Sequence, residues 1–201
     1  MAEVVRPYRG VGARQRQEQR RARLLSACRE VVGSAGVEGV TVEAVCAEAG
    51  LTKRYFYESF TDRDLLLTAV YDEMAGGLRE ALVAAAATAP ADTAARVEAG
   101  AAALTDTLTA DRHAARVFAE AARNPALARR QTAAYDEFAR VVDHHLLGQD
   151  AGRPAGHVAA VLVVAGATEV LGRWLRGDLG LTRDELVPIL AKQVLALRRS
   201  S

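Results

Sequence analysis

Polar and cationic side chains are concentrated in residues 53–59, just after a glycine in the N-terminal third of this 201-residue chain. They are Lys53, Arg54, Tyr55, Tyr57 and Ser59. Hydroxyls and cations of this kind bind phosphate oxygens, and an arginine can pair bidentately with guanine in a major groove. The residue types therefore indicate recognition of a nucleic acid.

The surrounding sequence predicts two short helices joined by a tight turn. Thr41 is the expected N-cap of the first helix. Behind it, the apolar residues of one helical face are Val42, Val45, Cys46 and Ala49. Gly50 supplies the left-handed backbone that ends this helix without a Cβ penalty. Thr52 is the expected cap of the second helix, in which Phe56 and Phe60 recur at i and i+4, so we expect its polar residues to face outward.

A third helix is predicted to begin after Thr61, which with Asp64 forms a weak capping box. A helix, a turn and a second helix with outward polar residues form a helix-turn-helix motif, whose second helix lies in the major groove of DNA. We therefore predict DNA binding, with residues 53–55 directed toward base edges rather than forming an ordinary solvated surface. Glu58 either accepts a hydrogen bond from a cytosine amine or faces solvent.

Positive charge is concentrated at the N-terminus, although the formal net charge is only +1. Residues 1–23 contain two glutamates and seven arginines, namely Arg6, Arg9, Arg14, Arg16, Arg20, Arg21 and Arg23. A basic segment beside a helix-turn-helix motif suits a polyanion. We expect residues 1–16 to be a disordered arm that either enters a minor groove or, as we favour, raises nonspecific affinity for DNA.

The composition favours an all-α fold of about nine helices. Half of the residues are hydrophobic and 5% are aromatic, a balance that suits helix packing, and no segment predicts a strand. After the arm, we expect a three-helix helix-turn-helix domain over 17–62 and a helical domain over 63–201. Predicted helices 4 to 9 cover about 62–87, 92–108, 111–123, 124–147, 157–176 and 182–198.

The cysteine content and the N-terminus predict a cytoplasmic protein. Cys28 and Cys46 are the only cysteines, and both fall among apolar helix positions, which favours a place in the core over a disulfide or a redox switch. The polar, Arg-rich N-terminus does not resemble a signal peptide. The most apolar stretch, 158–172, is short for a membrane span and contains Glu169. We expect it to be a helix buried within protein, with no membrane partner.

Sequence motifs for metal binding and catalysis are not found. His144 and His145 are adjacent, and neighbouring residues do not share a helix face. His113 and His157 lie far away in sequence, without a cysteine or carboxylate spacing that would complete a metal site. No Ser-His-Asp pattern, glycine-rich phosphate loop or nucleophile motif is present. We expect no metal, no cofactor and no enzymatic activity.

Residues spread over 21–70, beyond the helix-turn-helix motif itself, follow the sequence pattern of a known family. They are Arg21, Leu24, Leu25, Ala27, Cys28, Gly36, Thr41, Val42, Val45, Cys46, Ala49, Gly50, Leu51, Phe56, Tyr57, Phe60, Arg63 and Leu66. Through them the chain resembles the tetracycline-repressor (TetR) family of bacterial one-component regulators. The sequence departs from the family pattern at Ser59, where histidine is usual, and at Arg63, where lysine is usual. It also has Tyr55 and Phe56 where the family has smaller residues.

The resemblance implies roles for particular residues. Family members clamp phosphates with a threonine opening helix 2, a tyrosine in helix 3 and a cation opening helix 4, here Thr41, Tyr57 and Arg63. The candidate DNA contacts are Thr41, Thr52, Lys53, Arg54, Tyr55, Tyr57, Ser59 and Arg63. Family members also dimerise through their last two helices, here helices 8 and 9. The polar candidates for a ligand pocket among helices 4 to 8 are Arg116, Glu120, Tyr135 and Glu169, although Glu169 is also spaced to pair with Arg173.

We therefore predict a homodimeric transcriptional regulator, acting as a repressor, that a small molecule releases from a palindromic DNA operator. The alternative is a helical small-molecule-binding protein or enzyme with a vestigial DNA-binding head. A third possibility is a ligand-independent DNA-binding protein, which would lack a cavity.

Overall fold

The computed structural model describes residues 10–147 and 154–199, and every regular element in these ranges is helical. The helices are α1 (Gly10–Ala35), α2 (Val42–Ala49), α3 (Lys53–Tyr57), α4 (Arg63–Thr88), α5 (Thr93–Ala110), α6 (Arg112–Glu120), α7 (Pro125–Val141), α8 (Pro154–Leu175) and α9 (Arg183–Arg199). A 3₁₀ turn (Ala121–Arg123) follows α6, and a π-helical turn (Val142–Leu147) continues α7. The predicted all-α fold is confirmed.

The chain divides into two compact units between Val70 and Tyr71, within α4. The sequence predicted the division eight residues earlier, after residue 62. We refer to the part up to Val70 as the head unit and to the part from Tyr71 as the C-terminal unit. Each unit has a core of its own.

The head unit is built around apolar residues that α1, α2 and α3 bury. Leu24, Val32, Val45 and Phe56 have no solvent exposure, and α1 packs against both α2 and α3. Because α3 has only five residues, it is far too short to be stable by itself in water. The burial of Phe56 therefore holds α3 in place and leaves its other faces open to solvent.

Thr41 and Gly50 bound α2 as the sequence predicts. Thr41 Oγ1 accepts the Ala44 N–H at 3.0 Å, which satisfies one of the free N–H groups at the start of the helix. Gly50 has φ 61° and ψ 37°, a left-handed conformation that glycine adopts without steric cost. The chain thereby turns sharply from α2 toward α3.

The N-cap of α4 differs from the prediction. Asp62 is the cap, because its Oδ1 accepts the Leu65 N–H at 2.8 Å. Thr61 instead donates its hydroxyl to the Asp62 carboxylate at 3.2 Å. The predicted Thr61–Asp64 capping box is therefore wrong, since a carboxylate one residue closer to the helix takes the free N–H group.

The start of α1 also differs from the prediction, because the helix already begins at Gly10. Residues 10–16, expected to be disordered, are helical, and residues 1–9 lie outside the described ranges. The two glycines in this stretch cost about 1 kcal/mol each relative to alanine, which neighbouring residues of high helix propensity offset. Arg14 and Glu18 add an exposed i,i+4 pair at 3.0 Å.

Side chains also cap helices in the C-terminal unit. Asn124 Oδ1 accepts the N–H groups of Ala126 and Leu127 at 3.1 and 3.2 Å, directly after the predicted restart at Pro125. Thr182 and Glu185 form the predicted capping box at the start of α9. The predicted helix over 124–147 is instead α-helical only to Val141 and then π-helical.

Two apolar clusters form the interior of the C-terminal unit. The first is formed by α4, α5, α7, α8, α9 and the π turn, and includes Leu82, Val97, Ala139, Val142, Leu146, Ala160 and Val163. The second includes Leu78, Leu108, Phe118, Leu171, Leu186 and Leu190. At the surface, Arg183 of α9 makes two 2.7 Å contacts with Asp106 of α5. The hydrogen bond from Arg183 lowers the pKa of the Asp106 carboxyl.

The apolar helix α8 is only partly covered by its own chain. Among the described residues, Gly156–Leu175 is the one helical segment long and apolar enough to cross a membrane, with a mean hydropathy of 1.6. Core helices of soluble proteins can meet the same criterion. About a third of this segment is buried, and Val158 and Leu162 are exposed one turn apart. Its own chain therefore buries the helix only in part, and burial of the remaining apolar face between subunits stays a prediction.

Candidate functional site

Helix α3 presents cationic and aromatic side chains to solvent. Arg54 is the most open, with 84% of its side chain exposed, and Lys53 is 56% exposed. Tyr57 is also largely exposed. Tyr55 is more covered, because the Arg20 guanidinium of α1 lies 4.7 Å from its ring centroid. The predicted recognition residues on α3 are thus brought together on one accessible surface.

Two glutamates neutralise the cations of α3 in the free protein. Lys53 hydrogen-bonds Glu43 of α2, which lowers the pKa of Glu43 and raises that of Lys53. Arg54 Nε lies 3.2 Å from Glu58 Oε1, and Arg20 Nη2 lies 3.3 Å from Glu58 Oε2. Ion pairs this close to solvent contribute little to stability. DNA can therefore replace them with phosphate or base contacts.

Two further arginines of α1 support the motif through contacts within the head unit. Arg21 Nη1 donates to the Ser59 carbonyl at 3.3 Å, and its guanidinium lies 4.3 Å from the Phe60 ring centroid. Arg23 Nη2 donates to the Ala49 carbonyl at 2.6 Å and so satisfies a C-terminal carbonyl of α2. The sequence attributed this charge to polyanion binding, whereas these two arginines brace the helix-turn-helix motif.

Ser59 and Arg63 do not share the exposure of the other candidates. The Ser59 hydroxyl is buried without a hydrogen-bond partner. Arg63, at the start of α4, donates from Nη2 to the Val37 carbonyl at 3.0 Å and approaches the Glu38 carboxylate at 4.0 Å. Its guanidinium thus links α4 to the loop before α2. Roles for both residues in DNA binding stay predictions.

Thr41 and Thr52 are exposed at the starts of α2 and α3. Because the Thr41 hydroxyl accepts the Ala44 N–H, its own proton stays available for a phosphate oxygen. Thr52 makes no capping hydrogen bond through its side chain, so the predicted cap at this position is supplied by the backbone carbonyl alone. Both hydroxyls can therefore donate to DNA.

The C-terminal unit contains an apolar cavity of about 90 Å³. Its walls come from α4 to α9 and the π turn, and Leu78, Leu82, Phe138 and Val163 are typical lining residues. No charged side chain lines it within the described residues. On the scale on which a benzene-binding cavity measures about 150 Å³, the space is small, so a larger ligand must widen it.

Two tyrosines supply most of the polar chemistry in the cavity. Tyr71 and Tyr135 both line it, together with Thr168. Burial raises the pKa of both phenols, so each hydroxyl keeps its proton at neutral pH. The described residues provide neither hydroxyl with a hydrogen-bond partner. Both are therefore available to a polar atom of a ligand.

Of the four predicted pocket residues, the structure places only Tyr135 in the cavity wall. Arg116 and Glu120 pair with each other at 2.8 Å on α6, and Glu169 pairs with Arg173 at 2.6 Å on α8. Tyr71 was missed by sequence reasoning. Its helical spacing with Ala75, Leu78 and Leu82 could have identified it as the polar end of an apolar stripe.

In the described parts of the chain, the cysteines do not form a reactive site and the histidines do not complete a metal site. Cys28 and Cys46 are buried free thiols, and burial raises the pKa of Cys28 to about 12. Such a thiol is a poor nucleophile at neutral pH. No group of three or more His, Cys, Asp and Glu side chains within the described residues is arranged to hold a metal ion.

Comparison with known proteins identifies the head unit. The family model described as bacterial regulatory proteins, tetR family, matches residues 24–70, which contain the helix-turn-helix motif. The head unit therefore contains a DNA-binding domain of the tetR family. The predicted family is thus confirmed, and with it the function of a DNA-binding transcriptional regulator. No curated protein matches the sequence.

Solved structures resemble this chain over most of its length. The fatty acid degradation regulator FadR from Bacillus halodurans has a TM-score of 0.72 at 17% identity, covering 88% of this chain and 94% of its own. A TetR-like transcriptional regulator from Rhodococcus sp. RHA1 has a TM-score of 0.63 at 20% identity, with 88% and 96% covered. The multidrug binding protein EbrR, complexed with imidazole, has a TM-score of 0.67 at 22% identity, with 89% and 94% covered. These likenesses show the same fold in the C-terminal unit.

Proposed function

We propose that this TetR-family regulator is a homodimeric repressor that a small, largely apolar molecule releases from a palindromic operator. The observation that carries the proposal is the solvent-open surface of α3, with its cations, tyrosines and adjoining hydroxyls. Such a surface suits the major groove, where arginine and lysine read guanine and hydroxyls bind phosphates. Binding to chromosomal DNA also implies action in the cytoplasm.

Exposed apolar side chains on α8 and α9 support dimerisation. Val158 and Leu162 project from α8, and Ile189 and Leu197 project from α9. The two helices pack against each other, so their exposed residues can form one continuous patch. A self-complementary patch favours a twofold dimer, and a twofold dimer presents two reading heads to inverted half-sites.

The cavity supports control by a small molecule. Five of its lining residues belong to α4, the helix within which the chain passes between its two units. They are Tyr71, Met74, Ala75, Leu78 and Leu82. A ligand larger than the empty space must displace some of the wall, and displacement of α4 would change the separation of the reading heads. A 100-fold preference for the DNA-incompetent state corresponds to a coupling of about 2.7 kcal/mol.

The nature of the cavity limits the class of ligand. Its lining is apolar apart from two phenols and a threonine hydroxyl, which favours drug-sized or lipid-like molecules with few polar atoms. One similar structure is a fatty acid degradation regulator, and fatty acids belong to the class of molecule that this lining favours.

The proposal is tested by one set of measurements on the full chain. Light scattering should give twice the monomer mass of 21.4 kDa. Footprinting on the DNA upstream of the gene for this protein should show inverted half-sites. Hydrophobic metabolites and antibiotics that raise the melting temperature should weaken operator binding, and the operator should weaken their binding by the same factor. A stable monomer that still protects DNA would contradict the dimer.

The same measurements separate the proposal from its alternative, a small-molecule-binding protein or enzyme with a vestigial head. A vestigial head would bind matched and scrambled DNA with equal affinity. A ligand whose affinity is unaffected by operator DNA would not be an inducer.

A further inference from the structure

The C-terminal unit contains a second space, a polar cleft beside the wall of the apolar cavity. Its volume is about 340 Å³, and its lining residues are Arg96, His144, His145, Ala86, Ala87, Ala89 and Ala91. The four alanines leave the space unfilled. The polar side chains of the lining are all basic, and no carboxylate belongs to it within the described residues.

Arg96 is the strongest indication that the cleft has a ligand. This residue of α5 is partly buried, and its Nε is buried without a hydrogen-bond partner. No ion pair joins its guanidinium to a carboxylate in the described parts of the chain. Leaving a buried donor on a charged group unsatisfied is costly, and a guanidinium matches the two oxygens of a carboxylate or phosphate.

His144 and His145 add two further donors. In an α-helix, neighbouring residues project about 100° apart, but both side chains line this cleft from the π turn, with ring centroids 4.7 Å apart. An imidazole donates a hydrogen bond whether neutral or protonated. Asp143, the preceding residue, is buried and lies outside the lining. Single π turns frequently mark functional sites.

We propose that this cleft binds an oxyanion, the carboxylate or phosphate group of a small molecule, through Arg96, His144 and His145. Three convergent donors, one of them a buried and unsatisfied guanidinium N–H, suit such a group better than a neutral one.

The position of the cleft relates the anion to the cavity. Ala86 lies one helical turn after Leu82 on α4, and Arg96 lies one turn before Gly100 on α5. Leu82 and Gly100 line the cavity, and a Cβ on Gly100 would stand 2.8 Å from Leu82 Cδ1. The linings of the two spaces therefore come within one helical turn of each other on both α4 and α5. The anion is either free or, in a form that rests on the proposed function, the head group of a ligand whose apolar part occupies the cavity.

The test uses the full chain and calorimetric titration at constant ionic strength, with octanoate, 1-octanol and inorganic phosphate as probes. We expect Arg96→Gln to weaken octanoate at least tenfold and to leave octanol unchanged. His144→Gln combined with His145→Gln should weaken octanoate by a smaller factor. Arg129→Gln, which removes an exposed charge outside the lining, should have no effect.

The probes distinguish the two sources of the anion. Phosphate binding that Arg96→Gln abolishes assigns the cleft to free anions, whereas sensitivity of octanoate alone assigns it to the head group of an amphiphile. The proposal would be overturned if octanoate and phosphate bound the Arg96 and histidine variants as tightly as they bind the wild type. It would also be overturned if neither probe bound the wild type. If octanol alone did not bind, the cavity would not be the ligand site of the proposed function. The proposal that the cleft binds an oxyanion would be unaffected. Circular dichroism checks that each variant is folded.

Discussion

The two units of this chain differ in where their functional groups lie. Those of the head unit lie on its surface, and those of the C-terminal unit line an interior cavity. In the head unit the interior is filled by residues such as Leu24, Val45 and Phe56, which have no exposure, and the recognition residues lie outside. In the C-terminal unit the interior is incompletely filled, and the polar groups that could meet a ligand, Tyr71 and Tyr135, line the empty space.

The state of those groups differs as well. Lys53 and Arg54 are already paired with glutamates, so DNA binding is an exchange of one set of contacts for another. The tyrosine hydroxyls in the cavity have no hydrogen-bond partner within the described residues, so a ligand can bond to them without replacing an existing hydrogen bond. In the head unit, DNA must therefore compete with glutamates for the cations, which favours well-matched sites. In the C-terminal unit, the shape of the cavity selects the ligand.

The largest expected effect comes from a matched pair of Phe→Ala substitutions, one in each core. Phe56→Ala should destabilise the head unit by about 3–5 kcal/mol and abolish operator binding, because a fully buried ring leaves a cavity. Phe138→Ala should cost less, because Phe138 is only partly buried and already faces a cavity. Denaturant unfolding and operator binding measure both effects. Equal losses of stability would contradict the difference in packing between the units.

Local features of this fold were predictable because their partners are close in sequence. Thr41 caps α2 by accepting an N–H only three residues away, and Gly50 provides a left-handed turn that its own residue type favours. At α4 the same reasoning chose Thr61, although Asp62 is the cap, because both residue types cap helices well. A local pattern therefore locates a helix start more reliably than it identifies the capping atom.

Contacts between distant residues were not predictable in the same way. Arg63 reaches the Val37 carbonyl, and Arg20 reaches Glu58, pairings that depend on how helices meet. The cavity likewise depends on space left over after packing, which no residue type encodes. Arg116 and Glu120 were reasonable pocket candidates as polar residues on an apolar domain, yet an i,i+4 pair satisfies them on their own helix.

The next largest effect concerns base readout by α3. Lys53→Ala or Arg54→Ala should reduce discrimination at particular base pairs by about 1–3 kcal/mol where a direct contact is lost. Tyr57→Phe should weaken matched and scrambled operators equally, as expected for a phosphate contact. Binding to a set of single-base operator variants separates these outcomes, and identical behaviour of all three variants would contradict the assignment of α3 to the major groove.

Arg63→Ala is a less direct test of phosphate contact. Loss of a phosphate contact should reduce the slope of log affinity against log salt by about one unit. Because Arg63 also bonds the Val37 carbonyl, the variant should be less stable as well. An unchanged salt slope with reduced stability would assign Arg63 a structural role alone.

Filling the cavity should affect ligand response more than DNA binding. Ala134 is buried and lines the cavity, whereas its neighbour Ala133 is exposed. Ala134→Leu should weaken ligand binding about tenfold or more while operator binding persists, because added side-chain carbons occupy the space. The overpacking cost is about 1–3 kcal/mol. Ala133→Leu is the matched control, and an equal loss of ligand affinity in both variants would exclude the cavity as the binding site.

The smallest expected effect tests whether the glutamates of the head unit compete with DNA. Glu58→Gln removes the shared partner of Arg20 and Arg54 and should strengthen binding to scrambled DNA a few-fold, because both guanidinium groups become free for phosphates. Glu48→Gln is the matched control, because it removes one negative charge from an exposed position of α2 and so changes the net charge by the same amount. The difference between the two variants should shrink with added salt, which screens exposed charges. Equal affinities of the two variants at low salt would mean that Glu58 braces α1 against α3 and does not compete with DNA.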